Sequence, residues 1–346
     1  QEVLVKLQLE HIAKIDWPKT QLADYLLKIF DAAHSELLPP IPDAYEHLLD
    51  DEEMERFIDQ IQHRWDQLPT LTAKAGWDEK YPYFSLQSIL LSKAKGNRDL
   101  ETIVALYGKT ATESRDFIRL VEICMEHDDW EQAQAWLDKA RSIKEVDSRF
   151  HFKDQSVNRL QITIHLHNRQ HALALETIWA VFKNSPSLKD YLELNRIADL
   201  HGVKGSKQAV ISYLSTAIKD SKRRFGSTAE VNTLFEIHLH ENQLDDALTM
   251  VKEGFKETRL ILSLARRLDK QFAKSLPLYQ SIINDFVNRA NNSAYQDAVA
   301  LILELSAQFK TSNAKTEIEN FIALLRSKHK AKRNFIAYLD DAVQAS

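Results

Sequence analysis

The sequence predicts an all-α protein, an α-solenoid of stacked antiparallel helix pairs of tetratricopeptide-like type. Three observations predict it. Apolar residues recur at helical spacing almost throughout, glycine and proline are scarce, and one helix–turn–helix pattern recurs along the chain.

The first predicted helix follows Asp16-Trp17-Pro18, where Leu22, Tyr25, Leu26, Ile29, Phe30 and Ala33 keep i, i+3, i+4, i+7 spacing. Proline is tolerated there because the first helical turn leaves its amides unpaired anyway. After the proline-rich break at residues 38–43, Phe57, Ile58, Ile61, Trp65 and Leu68 predict a second helix. The acidic run at residues 50–53 is read as N-terminal charge favoured by the helix dipole. Capping boxes are expected at Thr110 with Glu113 and at Ser227 with Glu230, and Ser185-Pro186 is expected to open another helix. No alternating run predicts a strand.

Only 7 Gly and 8 Pro occur in 346 residues, against roughly 24 and 17 for average usage. Few glycines mean few left-handed turns, few tight hairpins and few phosphate-cradling loops. Apolar residues make up 44% and charged residues 27% of the chain, the balance of a folded soluble protein.

Internal self-similarity carries the repeat reading. Residues 123–137, 164–178 and 237–251 align without gaps. Each places a small Ala ten residues after its first Ile (Ala133, Ala174, Ala247) and an apolar residue four further on (Leu137, Ile178, Val251). The second and third share Ile-His-Leu-His, at 164–167 and 237–240. The copies lie 41 and 73 residues apart, the latter close to two repeats of about 36. A further copy is expected at 197–214, broken by the Gly202–Gly205 turn. Each copy reads as a helix, a short polar turn, and a second helix whose Ala allows close backbone approach. Such a pair cannot bury its apolar stripe alone, so successive pairs stack. Residues 260–286 and 294–309 look like further turns of the stack. Residues 1–110 match the repeat less well and are expected to form a helical subdomain or cap, with residues 111–346 as the repeat region and its capping helix.

Several function classes find little support. A formal net charge of −5 gives no global positive field toward nucleic acid or anionic lipid. The single cysteine, Cys124, excludes an internal disulfide and a multi-cysteine zinc site in this chain, and it fits a reducing compartment. No apolar run approaches a bilayer span, and Gln1-Glu2-Val3-Leu4-Val5-Lys6 has no signal-peptide pattern. Cytoplasm is the expected location. A chain beginning at Gln1 rather than Met is expected to be a piece of something longer.

His165, His167 and His171 invite a metal hypothesis, but a helix turn at Asn168-Arg169-Gln170 would separate them, and no HExxH occurs. Recurrence of His-Leu-His favours a repeat-position explanation. Cys124, inside an apolar stripe, is expected to be a packed, inert thiol. Gly202-Val203-Lys204-Gly205-Ser206-Lys207 faintly resembles a phosphate loop but lacks the four-residue spacer and a preceding strand. The tryptophans are expected to be mostly core. Lys222-Arg223-Arg224 fits a helix C-terminus. Arg326, Lys328, His329, Lys330, Lys332 and Arg333 form a denser basic group, which could wrap a helix with positive charge and engage phosphate, or form the solvated face of a capping helix.

From Ala172-Leu173-Ala174-Leu175 through Trp179 and Phe182 to Pro186-Ser187-Leu188 and Tyr191, the chain resembles the helical C-terminal region of bacterial SWIM-type zinc-finger proteins. The ending from His329-Lys330-Ala331-Lys332-Arg333-Asn334-Phe335 to Leu339-Asp340 resembles the closing segment of the same proteins, as do residues 276–279 leading into Tyr295 and Ala298. The resemblance covers roughly residues 100–346 and implies the solenoid. In that family a SWIM module with a C-x-C…C-x-H zinc motif precedes the helices and is associated with DNA or protein binding. A single cysteine means the motif is absent here, so no zinc ligand carries over. The expected function is a non-catalytic protein-interaction scaffold without cofactor, the partner-binding part of such a protein, receiving a peptide or helix in a groove. The alternative expectation is a nucleic-acid-associated module using Arg326, Lys328, Lys330, Lys332 and Arg333.

Overall fold

The computed structural model describes residues 10–15, 17, 21–32, 47–143, 152–220 and 229–344, with side chains at all of these but 31–32 and 152–155. Asp16, Pro18, Ala33, the break at 38–43, the basic group at 222–224 and Ser227 lie outside the described residues. The described residues are helical almost throughout, with no strand among them. The chain divides into two compact units, Gln1–Thr177 and Ile178–Ser346.

The first unit contains α1 (Gln21–Ala32), α2 (Asp51–Gln67), α3 (Trp77–Gly96), α4 (Leu100–Thr110), α5 (Ser114–Glu126), α6 (Trp130–Ser142) and α7 (Phe152–His167). Each packs against the next, and α5 also touches α7. The division falls within α8 (His171–Asn184). The second unit continues with α9 (Leu188–His201), α10 (Ser206–Asp220), α11 (Ala229–His240), α12 (Leu244–Lys252) and α13 (Thr258–Arg267). It ends with α14 (Phe272–Asn288), α15 (Asn292–Gln308), α16 (Ser312–Lys328) and α17 (Arg333–Gln344). From α9 to α16 each helix again packs on its successor, and α9 on α11, α11 on α13 and α15 on α17 also meet. Contact between neighbours plus contact between alternate helices is the signature of stacked helix pairs, so each unit is solenoid-like.

Of the three-residue connections between helices, four share one closing bond, at 97–99, 127–129, 168–170 and 241–243. The middle residue of each is left-handed: Arg98 (φ 55°), Asp128 (φ 60°), Arg169 (φ 58°) and Asn242 (φ 58°). The third closes a bond back to the carbonyl five residues earlier: Asp99 to Ala94 at 2.9 Å, and Asp129 to Cys124, Gln170 to His165 and Gln243 to His238 at 2.8 Å. This closure satisfies a carbonyl orphaned by the end of the first helix. At 97–99 and 127–129 the same third residue caps the next helix, Asp99 accepting from the Thr102 amide and Asp129 from that of Gln132. The three aligned segments thus share one backbone device, and it extends to α3–α4, where Ile103 takes the place of the Ala. The expected copy at 197 reverses instead through four residues, with Gly202 (φ 77°) and Gly205 (φ 80°) left-handed.

Packing follows the repeat. Ala133 and Leu137 of α6 are fully buried against Leu120, Val121 and Cys124 of α5 in one core that also takes Val157 and Ile164 of α7. Another core joins Leu22 and Leu26, Phe57 and Ile61, and Leu86 and Leu90 from α1, α2 and α3. Burying each large side chain contributes about 1.5–3 kcal/mol. In the second unit two buried tyrosines tie stacked helices through carboxylates. Tyr191 donates to Glu241 (2.9 Å), which also takes Lys207 (2.8 Å). Tyr279 donates to Glu304 (2.6 Å), which Arg266 grips with two bonds of 2.7 Å. Those cations, with the tyrosine hydroxyls, hold both carboxyls below the usual range against the opposing effect of burial.

Two expected helix starts move. Thr110 is not an N-cap but the last residue of α4; its hydroxyl donates back to the Tyr107 carbonyl (3.1 Å) and accepts from Gln87 (2.9 Å). The cap falls at Glu113, with Asp116 accepting from the Glu113 amide at 2.9 Å. Likewise Ser187, not Ser185, caps α9 through the Asp190 amide. The acidic start of α2 holds as expected, Asp50 accepting from the Glu53 amide at 2.8 Å.

Arg169 is exposed and left-handed, so its side chain contributes nothing that offsets the backbone strain. Arg169→Gly is expected to stabilise the chain by about 0.5–1 kcal/mol, the left-handed penalty less glycine's greater entropy loss on folding. A lowered denaturation midpoint in urea would contradict this.

Candidate functional site

The C-terminal basic group does not wrap one helix. α16 ends at Lys328, residues 329–332 turn, and α17 begins at Arg333. Two of the five cations have partners within the fold. Arg326 bonds Asp340 of α17 (Nε–Oδ1 3.0 Å), and Lys332 donates to the Val287 carbonyl at the end of α14 (2.5 Å). Lys328, Lys330 and Arg333 remain exposed. His329, in their midst, is only 5% exposed and lies edge-on to Phe335, and its Nε2 has no hydrogen-bond partner among the described residues. Burial, then the positive charges of Lys332 and Lys328, hold its imidazole below the ordinary value.

The turn at 168–170 separates His171, at the start of α8, from His165 and His167 at the end of α7. His165 Nδ1 lies 2.8 Å from Gln170 Oε1 across that turn, and His238 makes the same contact with Gln243 at 2.8 Å. His167 stacks on Trp130 at 3.8 Å between ring centroids. The recurring histidine is thus a turn clamp at one repeat position. Among the described residues no group of three or more His, Cys, Asp or Glu is placed to hold a metal. Cys124 is fully buried, and burial, aided by the charge of Asp129, pushes its thiol up to about 11, far from the thiolate a nucleophile needs.

The glycine turn at 202–205 borders a cavity of about 540 Å³ that includes Lys204, Lys207 and Glu241. It joins two helices rather than a strand and a helix, and Glu241 neutralises Lys207 at 2.8 Å. The phosphate-loop context is therefore missing.

A different feature stands out on α3. Trp77, Tyr81 and Phe84 follow i, i+4, i+7 spacing and are 71%, 40% and 44% exposed, with the Trp77 and Phe84 rings 6.2 Å apart. The opposite side of the same helix holds it in the core: Tyr83 packs edge-on to Trp65 (6.2 Å) and donates to the Pro69 carbonyl (2.8 Å), beside Leu86 and Leu90. Beside Phe84 lies a cavity of about 270 Å³ formed by α3, the end of α4 and the start of α5. Gln87 forms part of its wall, donating to the Leu106 carbonyl (2.8 Å) and to Thr110 (2.9 Å). Lys80, Tyr107, Arg115 and Arg119 line it from three helices.

The expectation that the tryptophans are mostly core thus does not hold: Trp65 is buried, Trp17, Trp130, Trp136 and Trp179 are half-buried, and Trp77 is exposed. A signal was present, since α3 carries apolar residues all round rather than on one stripe, but in a stack such a helix reads as simply buried. No family model and no curated protein matches the chain. Among the described residues, no helix is long and apolar enough to cross a membrane.

A depressed histidine stabilises the fold above its unfolded pKa and loses that contribution as pH falls through the folded value. Chain stability is therefore expected to fall as pH drops below about 6.5 in a step that belongs to His329. His329→Leu, which keeps an apolar group against Phe335, should remove that step. Denaturant midpoints measured across pH 5–8 would check it, and an unchanged profile in the variant would contradict the assignment.

Proposed function

We propose that the chain is a non-catalytic protein-interaction scaffold, the partner-binding part of a SWIM-type zinc-finger protein in keeping with the sequence resemblance. The observation that carries the scaffold reading is the exposed aromatic stripe Trp77, Tyr81 and Phe84 on a helix whose other side is anchored in the core. Large exposed aromatics cost solubility in a free protein, and contiguous ones mark surfaces that another molecule covers. Trp and Tyr dominate the energetics of such contacts because they bury much area with few rotors to freeze. The rigid support matters equally, since the helix does not have to order on binding.

The test is affinity capture from source-cell lysate with nuclease present, comparing the intact chain with Trp77→Ala/Phe84→Ala. A stoichiometric protein partner should survive nuclease and be lost with the double variant. Equal retention by both proteins would remove this face from the proposal.

A second reading, association with nucleic acid, rests on Lys328, Lys330 and Arg333 at the α16–α17 junction. Three phosphate contacts give a log–log salt slope of roughly −3. Replacing all three with Glu is expected to abolish nucleic-acid retention on this reading, and unchanged affinity would sink it.

A further inference from the structure

The scaffold reading leaves open what the α3 face takes, and the further inference rests on that reading. The ionisable groups around the adjoining cavity are unevenly committed. Asp116 accepts from the Thr112 and Glu113 amides at 3.0 and 2.9 Å, so its charge serves the start of α5. Glu113 is occupied too, pairing with Arg115 at 2.9 Å. By contrast, the Lys80 ammonium enters no ion pair or hydrogen bond among the described residues. Arg119 gives one terminal N–H to the Tyr107 hydroxyl (2.9 Å) and lies 4.5 Å over that ring, which leaves its other donors for a ligand. The carboxylates are spent internally while two cations face the cavity, and an aromatic platform lies within the same face.

We propose that this face binds an acidic peptide segment of a protein partner, one in which a bulky apolar side chain neighbours an Asp or Glu. The apolar side chain covers Trp77 and Phe84, and the carboxylate enters the cavity toward Lys80 and Arg119. A guanidinium is suited to it, since its planar fork takes both oxygens of a carboxylate. The aromatic contact supplies affinity and the cations supply sign, rejecting basic sequences by leaving like charges opposed.

The experiment pans a phage-displayed library of short random peptides on the intact chain. Enriched peptides are then synthesised and their affinities measured by anisotropy against wild type, Trp77→Ala, Lys80→Glu and Arg119→Glu. Circular dichroism checks that each variant is folded; all three positions are exposed or half-exposed, so the core is undisturbed. Selected peptides should pair an acidic residue with Leu, Phe or Trp. Binding should weaken roughly tenfold or more in Trp77→Ala and in each charge reversal, and fall with added salt. Replacing the peptide's Asp or Glu with Asn or Gln should weaken it similarly. Peptides that need Trp77 but ignore both charge reversals overturn the acidic class and leave the scaffold reading standing. If no selected peptide depends on Trp77, both fall. Trp77-dependent self-association in sedimentation velocity would assign the face to a second copy and overturn the acidic-peptide proposal.

Discussion

The rest of the structure depends on a chain reversal of three residues. Two helices can lie side by side only if the chain turns back at once, and a three-residue turn does so by placing its middle residue in the left-handed region. Arg98, Asp128, Arg169 and Asn242 all accept that conformation without being glycine. Each carries a cost of about 1–2 kcal/mol, which the closing bond to the preceding helix and the packing of the pair offset. The cost also explains how so few glycines suffice. Helix packing over-determines these turns, so the backbone needs the freedom of glycine only in longer connections, at Gly202 and Gly205 and at Gly254 (φ 111°).

Once pairs form, their stacking is fixed by small residues and by shared polar contacts. Ala133 and Ala247 are fully buried, so neighbouring backbones approach closely at the same repeat position. The Tyr191–Glu241 and Tyr279–Glu304 contacts act at a longer range in sequence, tying a first helix to a later one through a hydroxyl that would otherwise be buried unpaired. These bonds add register to an interface whose apolar contacts alone would tolerate sliding. The same principle fixes the C-terminal end, where Arg326 and Lys332 are spent on Asp340 and on a helix-terminal carbonyl.

Much of the fold was legible because it is periodic. The aligned segments at 123, 164 and 237 each mark a helix pair, and His165 and His238 proved to be one clamp repeated. What was not legible was local. The α3–α4 pair uses the same turn and the same capping Asp, but Ile103 replaces the Ala that marks the aligned segments. Thr110 looked like a cap because hydroxyl and carboxylate had the right spacing, yet Gln87, distant in sequence, claimed its hydroxyl. The basic group near 330 read as one surface, but which cations face solvent depends on Asp340 and Val287, partners that spacing cannot reveal. Trp77 was hidden by a similar limit. Composition shows that α3 is apolar on every side, and only the arrangement of its neighbours decides which side is covered.

That asymmetry gives α3 its interest. A helix inside a stack has neighbours before and behind, and an apolar surface all round is what such a position requires. In α3 the side bearing Tyr83, Leu86 and Leu90 meets that requirement, and the side bearing Trp77, Tyr81 and Phe84 does not. The aromatic side does not owe its exposure to a frayed end, since the Glu79 carboxylate holds the Gly76 amide at 3.0 Å and fixes the start of the helix. The aromatic rings are therefore presented by a helix with little freedom to turn them inward: rotating α3 to bury Trp77 would expose Tyr83 and break its bond to Pro69. The surface is built into the register of the fold.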